Sequence, residues 1–416
     1  MFTRRRLLSF CLASLAIGTI LLSFDRSHLA LDQPGNLYLH QANALIHGKM
    51  DVSPDLFDVA VMGDKGYLPY PPAPAVLLVP FVVLFGPRAD LPMLLALLLA
   101  LGTVGMAIGL FKQLGIPWDM RWVLAGAFLM GTPYWFVFIN SNGVWHLAHV
   151  AAVFFSFAAI RESFGRGRGW LVGLMVAGAF LSRQLTLLAL VAIAAIIVRN
   201  AAVNRRRGVL GELVSVGVVL LVGLGVYCWF NWARFGNPLD TGYGHIPLGG
   251  LFGRRVTEHG LLSPAYVPFN LLYLLIQGFH VEFQSTLMLS HPQMNPFGTS
   301  LLAASPFILV GLYSRREVWT RTAIWLSVVG MAVGHLLYYN NGNYQVNGQR
   351  FALDYLPLLI VLVGDGLSAR REKGEDRLWI GVVVYSIFLN WLALLIIPNY
   401  GPLVSLGKTL FRAIGW

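Results

Sequence analysis

Between residues 25 and 90 the chain concentrates side chains suited to acid–base chemistry. Asp25, Asp32, Asp51, Asp55, Asp58 and Asp64 precede the turn Tyr67-Leu68-Pro69-Tyr70-Pro71-Pro72. A carboxylate can act as a general base towards a hydroxyl. Asp51, Asp55 and Asp58 are spaced i, i+4 and i+7, one face of a helix, although Pro54 disfavours a helix through that point. Three convergent carboxylates would hold Ca²⁺ or Mg²⁺, the one cofactor the sequence suggests; otherwise the run is a solvated face.

A second group lies in Asn140-Ser141-Asn142-Gly143-Val144-Trp145-His146-Leu147-Ala148-His149. His146 and His149 stand one helical turn apart, so both can face one cavity as hydrogen-bond donors or as a titrating pair. The plainer reading makes them interfacial polar residues beside Trp145. Further on, Arg350 and Asp354 have the i, i+4 spacing of a helical ion pair.

The elements that must position these residues cross a membrane. Hydrophobic residues make up 56% of the 416 against 12% charged, and the mean hydropathy is +0.66. Such a composition excludes an ordinary soluble domain. A span needs about 20 mostly apolar residues because backbone groups in hydrocarbon must be satisfied within a helix. Eleven spans are predicted, near 7 to 24, 91 to 111, 121 to 139, 146 to 161, 168 to 182, 184 to 199, 210 to 230, 298 to 313, 320 to 339, 352 to 368 and 377 to 397, within a range of 10 to 13. Two shorter apolar stretches with prolines, 73 to 86 and 264 to 279, are expected to be interfacial or re-entrant helices. The whole is expected to be one all-α polytopic membrane domain, 1 to 416, with large extracytoplasmic segments at 25 to 90 and 231 to 297.

Charge supplies the orientation. With Arg4, Arg5 and Arg6 inside, alternate loops carry 19 of the 30 basic residues and eight of the 19 acidic ones. The inside then holds the entire net charge of +11, as the preference for cytoplasmic Lys and Arg requires. That asymmetry is a topology signal, so nucleic acid is not an expected partner, whereas membrane lipids are. The N-terminus is expected in the cytoplasm, the first span is expected to stay as an anchor, and the polar loops face outward. Cys11 and Cys228 both fall within expected spans, so no disulfide framework is expected.

The order of features resembles a family. One anchor is followed by an outer loop that starts with an acidic residue, then Tyr38-x-x-x-Ala42 ending at Gly48, an aromatic-Pro-Pro turn, a short interfacial helix and many spans. This is similar to the GT-C class of membrane glycosyltransferases, particularly the branch with protein O-mannosyltransferases and the lipid A aminoarabinose transferase. Gly348-Gln349-Arg350-Phe351-Ala352-Leu353-Asp354-Tyr355-Leu356-Pro357 is similar to a late outer loop of bacterial members. The likeness is best over roughly the first 230 residues.

The resemblance implies transfer of a sugar from a polyprenyl-phosphate-linked donor to a lipid, glycan or protein acceptor, outside a bacterial or archaeal cytoplasmic membrane. The family places its acid three to four residues before the tyrosine, where this chain has Pro34 and Gly35. Asp32 is then the expected base, with Asp58 next and Asp25 at the membrane exit. A helix-capping or solvated role is the plain reading of Asp32. The implied phosphate cations are Arg183, Lys65 and Arg350. Arg183 interrupts two apolar runs at Leu181-Ser182-Arg183-Gln184, where an unpaired cation is costly, unless it snorkels to the headgroups. Lys65 stands just before the Tyr67 to Pro72 turn. Tyr67, Tyr70 and Trp145 can stack on a sugar or isoprenoid, or serve as ordinary interfacial aromatics. Acceptor selection is expected from Arg254, Arg255, Glu258, His259, His280, Glu282 and His291.

Two other classes stay open. A lipid or solute transporter or flippase would need buried central charges and repeated halves, neither of which the sequence displays. A scaffolding protein would use the same loops as docking surfaces.

Overall fold

The computed structural model describes residues 37–204, 208–283, 292–295, 297–342 and 348–395. Asp25, Asp32 and the first expected span lie outside these residues, as does His291.

The segment before the first long helix begins with α1 (Leu37–Ile46), which stops at Gly48 with φ 69°. Leu37, Tyr38 and Leu39 are all buried. Three consecutive residues cannot share one helical face. The helix is therefore enclosed at its start, and Tyr38 Oη donates to the Pro71 carbonyl over 3.2 Å. The strands β1 (Ala60–Met62) and β2 (Lys65–Tyr67) form an antiparallel hairpin, against which Val52 and Gly66 exchange backbone bonds of 2.8 and 3.1 Å. Two prolines then open α2 (Ala73–Phe85), whose Ala73 amide donates to Leu181 O over 2.9 Å. Val76, Val83, Leu84 and Phe85 are exposed on α2. At about 1.5 Å per residue, its 13 residues fall short of a hydrocarbon core of about 30 Å, as an interfacial helix requires.

The bundle follows as α3 (Leu91–Gln113), α4 (Trp118–Met130), α5 (Tyr134–Ile139), α6 (Val144–Phe164) and α7 (Gly169–Phe180). A 3₁₀ turn, Gln184–Ala189, runs into α8 (Leu190–Val203), then α9 (Val209–Phe235). The segment 236 to 297 holds α10 (Gly250–His259), α11 (Val267–Leu271) and the strand pair β3 (Val281–Phe283) and β4 (Pro292–Met294). After α12 (Leu301–Ala304) and a 3₁₀ stretch, Pro306–Tyr313, come α13 (Val318–Leu336), a 3₁₀ turn Arg350–Asp354, α14 (Leu356–Glu372) and α15 (Asp376–Leu395).

Five helical stretches among the described residues are long and apolar enough to cross a membrane: Leu91–Gln113, Val144–Phe164, Gln184–Val203, Val209–Phe235 and Asp376–Ala393. Among the described residues the other expected spans form helices that are shorter or less apolar. The expected span 121 to 139 is broken at Gly131-Thr132-Pro133, because proline has no amide to continue the ladder. Ser305-Pro306 divides 298 to 313 in the same way. Small residues let α7 and α9 approach closely. A Cβ on Gly169 would stand 2.1 Å from Glu212 O, and one on Gly173 2.9 Å from Val216 O.

The two ends of the bundle differ chemically. At one end the basic loops are tied by ion pairs, Arg371 to Asp119 (3.3 Å), Arg199 to Glu317 (2.8 Å) and Arg316 to Asp365 (3.3 Å). At the other end converge the hairpin segment, the start of α6, the break after α7, the end of α13 and the turn before α14.

Candidate active site

Asp58 has φ +67°, a left-handed conformation that Asp tolerates better than most residues with a Cβ. No helix runs through 51 to 58, so Asp51 and Asp55 do not share its face. Asp55 is exposed and Asp58 alone of the three is held among aromatic side chains. Tyr70 Oη donates to Asp58 Oδ2, and Trp145 Nε1 donates to the same oxygen over 2.7 Å. Burial pushes the Asp58 carboxyl above the usual carboxylate value, opposed by the Tyr70 and Trp145 hydrogen bonds and by the Arg350 charge. A carboxyl so raised is, when ionised, a stronger base than an ordinary aspartate.

Trp145 also faces a cation. The Arg350 guanidinium lies 5.6 Å from the Trp145 ring centre and 5.7 Å from that of Phe351, in cation–π range. Arg350 is buried, and burial first, then Arg183, pull its pKa down to about 9. The expected ion pair between Arg350 and Asp354 does not form. Residues Arg350–Asp354 make a 3₁₀ turn of three residues per turn, so the i, i+4 geometry of an α-helix does not apply.

Asp354 is instead shared by three other groups. Arg183 approaches it bidentately, with Nε 3.2 Å from Oδ1 and Nη2 3.1 Å from Oδ2. His149 Nδ1 lies 3.2 Å from Oδ1, and His335 Nε2 lies 3.1 Å from Oδ2. Both ring nitrogens are buried and face the Asp354 carboxylate. The Arg183 guanidinium sits 4.9 Å from the Phe351 ring centre, and the His335 ring stacks on Phe351 at 4.9 Å and 26°. Arg183 is thus an inward, paired cation and does not snorkel.

Of the residues expected from sequence, Asp58, Tyr70, Trp145, His149, Arg183 and Arg350 are brought together. His146 is buried beside Phe136 and Trp145, and neither ring nitrogen has a hydrogen-bond partner among the described residues. Tyr67 packs edge-on against Phe235 at 5.7 Å, outside this cluster. Lys65 is exposed on the hairpin, paired across it with Met62, so the charge before the Pro-Pro turn points to solvent. Arg255 in the segment 236 to 297 donates to Tyr339 O over 3.0 Å and stacks on Phe269, a structural assignment rather than an open recognition group.

Sequence reasoning missed His335, the role of Asp354, and Arg234. Arg234 is buried at the end of α9, where it donates to Leu68 O, to Phe230 O (3.0 Å) and to Asn231 Oδ1 (2.9 Å). It fastens the turn that carries Tyr70. The available signal was an arginine in the last turn of an apolar helix. Among the described residues no group of three His, Cys, Asp or Glu side chains is arranged to hold a metal ion. The three aspartates that could have bound one are dispersed.

The all-α bundle, with its polar cluster gathered under the long segment before α3, has a fold similar to that of GT-C membrane enzymes. The crystal structure of ArnT from Cupriavidus metallidurans bound to undecaprenyl phosphate is similar over 97% of this chain and 72% of that one, with a TM-score of 0.52 and 14% identity. The apo structure of the same ArnT matches over 89% of this chain and 61% of its own, at a TM-score of 0.50 and 14% identity. A structure of the Archaeoglobus fulgidus oligosaccharyltransferase matches at a TM-score of 0.44 and 13% identity, over 92% of this chain and 55% of that one. No protein-family model matches the sequence, and no curated protein does.

Proposed function

We propose that this protein transfers a sugar from a polyprenyl-phosphate-linked donor to a lipid, glycan or protein acceptor at the extracytoplasmic face of the membrane. The observation that carries the reading is one site holding a carboxyl of raised pKa, Asp58, beside the buried Arg350 and the half-buried Arg183. The fold shared with ArnT, whose structure holds undecaprenyl phosphate, supports a lipid-phosphate carrier.

Asp58 takes the proton of the acceptor hydroxyl as the acceptor oxygen bonds to the anomeric carbon. The bond from that carbon to the phosphate oxygen breaks, and its electron pair leaves with the polyprenyl phosphate. Arg350 and Arg183 offset the charge that develops there, in surroundings where such stabilisation is strong. Attack from the face opposite the leaving group inverts the anomeric centre. The charge distribution between the two ends of the bundle supports an outward-facing site. Asp32, the expected base, lies outside the described residues, and Asp58 is the carboxylate the surrounding geometry favours.

The test is mass spectrometry of envelope glycans and lipids from cells with and without the chain, and with Asp58→Asn. A glycosylated product that disappears with the chain and with Asp58→Asn supports the reading. An identical profile in all three overturns it in favour of transport or scaffolding.

A further inference from the structure

The Arg183 guanidinium has two edges able to form paired hydrogen bonds. Asp354 occupies the edge made by Nε and Nη2. The opposite edge, Nη1 with the second Nη2 proton, therefore faces away from Asp354. The side chain keeps 17% exposure while the Asp354 side chain has none, so Arg183 is partly accessible where its carboxylate partner is closed off. Phe351 supports the flat face of the guanidinium, and His335 stacks on Phe351. The orientation of Arg183 is thus fixed in plane and along its axis.

Asp354 is in turn over-determined. It sits on a 3₁₀ turn, and α6 and α13 each send one histidine to it, His149 to Oδ1 and His335 to Oδ2. Four separate chain segments meet on two oxygen atoms. An ion pair needed only to neutralise Arg183 would not require that support. A buried carboxylate is costly to desolvate unless it is well paired, and nitrogens from three other segments offset that cost while fixing its direction.

We infer that Asp354 is the positioning residue of this site. It holds Arg183 by one edge so that the other edge receives the phosphate of a polyprenyl-phosphate carrier, while His149 and His335 fix the carboxylate. This rests on the proposed function and adds to it the residues that aim the phosphate-binding cation.

The experiment compares binding of undecaprenyl phosphate with that of undecaprenol, the same lipid without phosphate, by the full chain in nanodiscs. Wild type is expected to prefer the phosphate. Asp354→Asn is expected to weaken undecaprenyl phosphate about tenfold to a hundredfold, the usual effect of disturbing a hydrogen bond to a charged group, and to leave undecaprenol unchanged. A merely structural defect would weaken both lipids alike and overturns the inference. Wild-type phosphate binding in Asp354→Asn together with its loss in Arg183→Ala also overturns it, but leaves the transferase reading intact. Should wild type fail to distinguish the two lipids, the carrier reading itself falls. If Asp354→Asn does not fold, His335→Ala decides: a several-fold loss of phosphate preference supports positioning, and full retention overturns it.

Discussion

Trp145 Nε1 donates to Asp58 Oδ2 over 2.7 Å although 87 residues separate them, and its ring also receives the Arg350 guanidinium at 5.6 Å. One indole therefore sets the distance between the carboxylate and a cation, the two charges a glycosyl transfer must keep apart.

Asp58→Asn keeps the size and the acceptor oxygen but cannot take a proton. Transfer is expected to fall by about a hundredfold to ten-thousandfold, the usual contribution of a general base. Trp145→Phe removes one hydrogen bond to a charged group, a net effect of roughly 1.5–3 kcal/mol, and should lower the rate about tenfold or more. Initial rates on one donor and acceptor pair, with thermal unfolding as the control for folding, check both. A fully active Asp58→Asn would return the role of base to Asp32 or Asp25.

The pH profile follows from the direction of the Asp58 shift. The base works ionised, so the rate should rise with pH through the raised pKa and then level off, with an acid limb above that of an ordinary aspartate. Trp145 lowers the pKa by its hydrogen bond, so Trp145→Phe should move that limb to higher pH. The linkage to stability has the opposite sense. A folded pKa above the unfolded one favours the protonated carboxyl, and this contribution is fully present below the unfolded value and lost as pH rises through the folded one. At neutral pH Asp58→Asn should therefore unfold no earlier than wild type. A clear loss of thermal stability in that variant would contradict the burial argument.

Arg350→Lys tests a different property. Burial and Arg183 pull the arginine down to about 9, which leaves it charged at neutral pH. A lysine starts near 10.4, lower than arginine, so the same desolvation brings it close to neutrality. It also loses the flat stacking on Trp145 and Phe351. Transfer by Arg350→Lys is expected to fall more than tenfold at pH 7 and to weaken further as pH rises towards 8, where wild type still works. Parallel pH profiles for the two proteins would show that the cation has no electrostatic role.

Much of this was legible in the chain. Apolar runs of about 20 residues can only be satisfied as helices in lipid, so most helices fall where they were expected. Arg183 was legible because a lone cation between two apolar runs demands a partner. The identity of that partner was not legible, since Asp354 is 171 residues away and its nearer cation, Arg350, offered the local pattern. That pattern assumed α-helical geometry, and a 3₁₀ turn invalidates it. His335 gave no local signal at all, because its meaning depends on α13 ending beside the turn before α14. Lys65 had the right place in the sequence order, but hairpin geometry directs it outward.

Gly66 provides the last test, because it acts on Asp58 without touching it. A Cβ there would lie 2.7 Å from Ser53 O and 2.9 Å from Pro54 Cα, with no flexible side chain able to yield. The strain of such overpacking is typically about 1–3 kcal/mol. The segment it would displace, Val52 to Asp58, is held to the hairpin by the paired bonds between Val52 and Gly66 and ends in the left-handed residue Asp58. Gly66→Ala should therefore lower thermal stability modestly while lowering transfer by a larger factor, since an error of about 1 Å at a reacting group can remove a hundredfold in rate. Undecaprenyl phosphate affinity should stay near wild type, because Arg183, Asp354 and Arg350 stand on other segments. Equal losses in affinity and rate would mean that the hairpin holds the whole site, and unchanged transfer would mean that Asp58 is not the group that reacts.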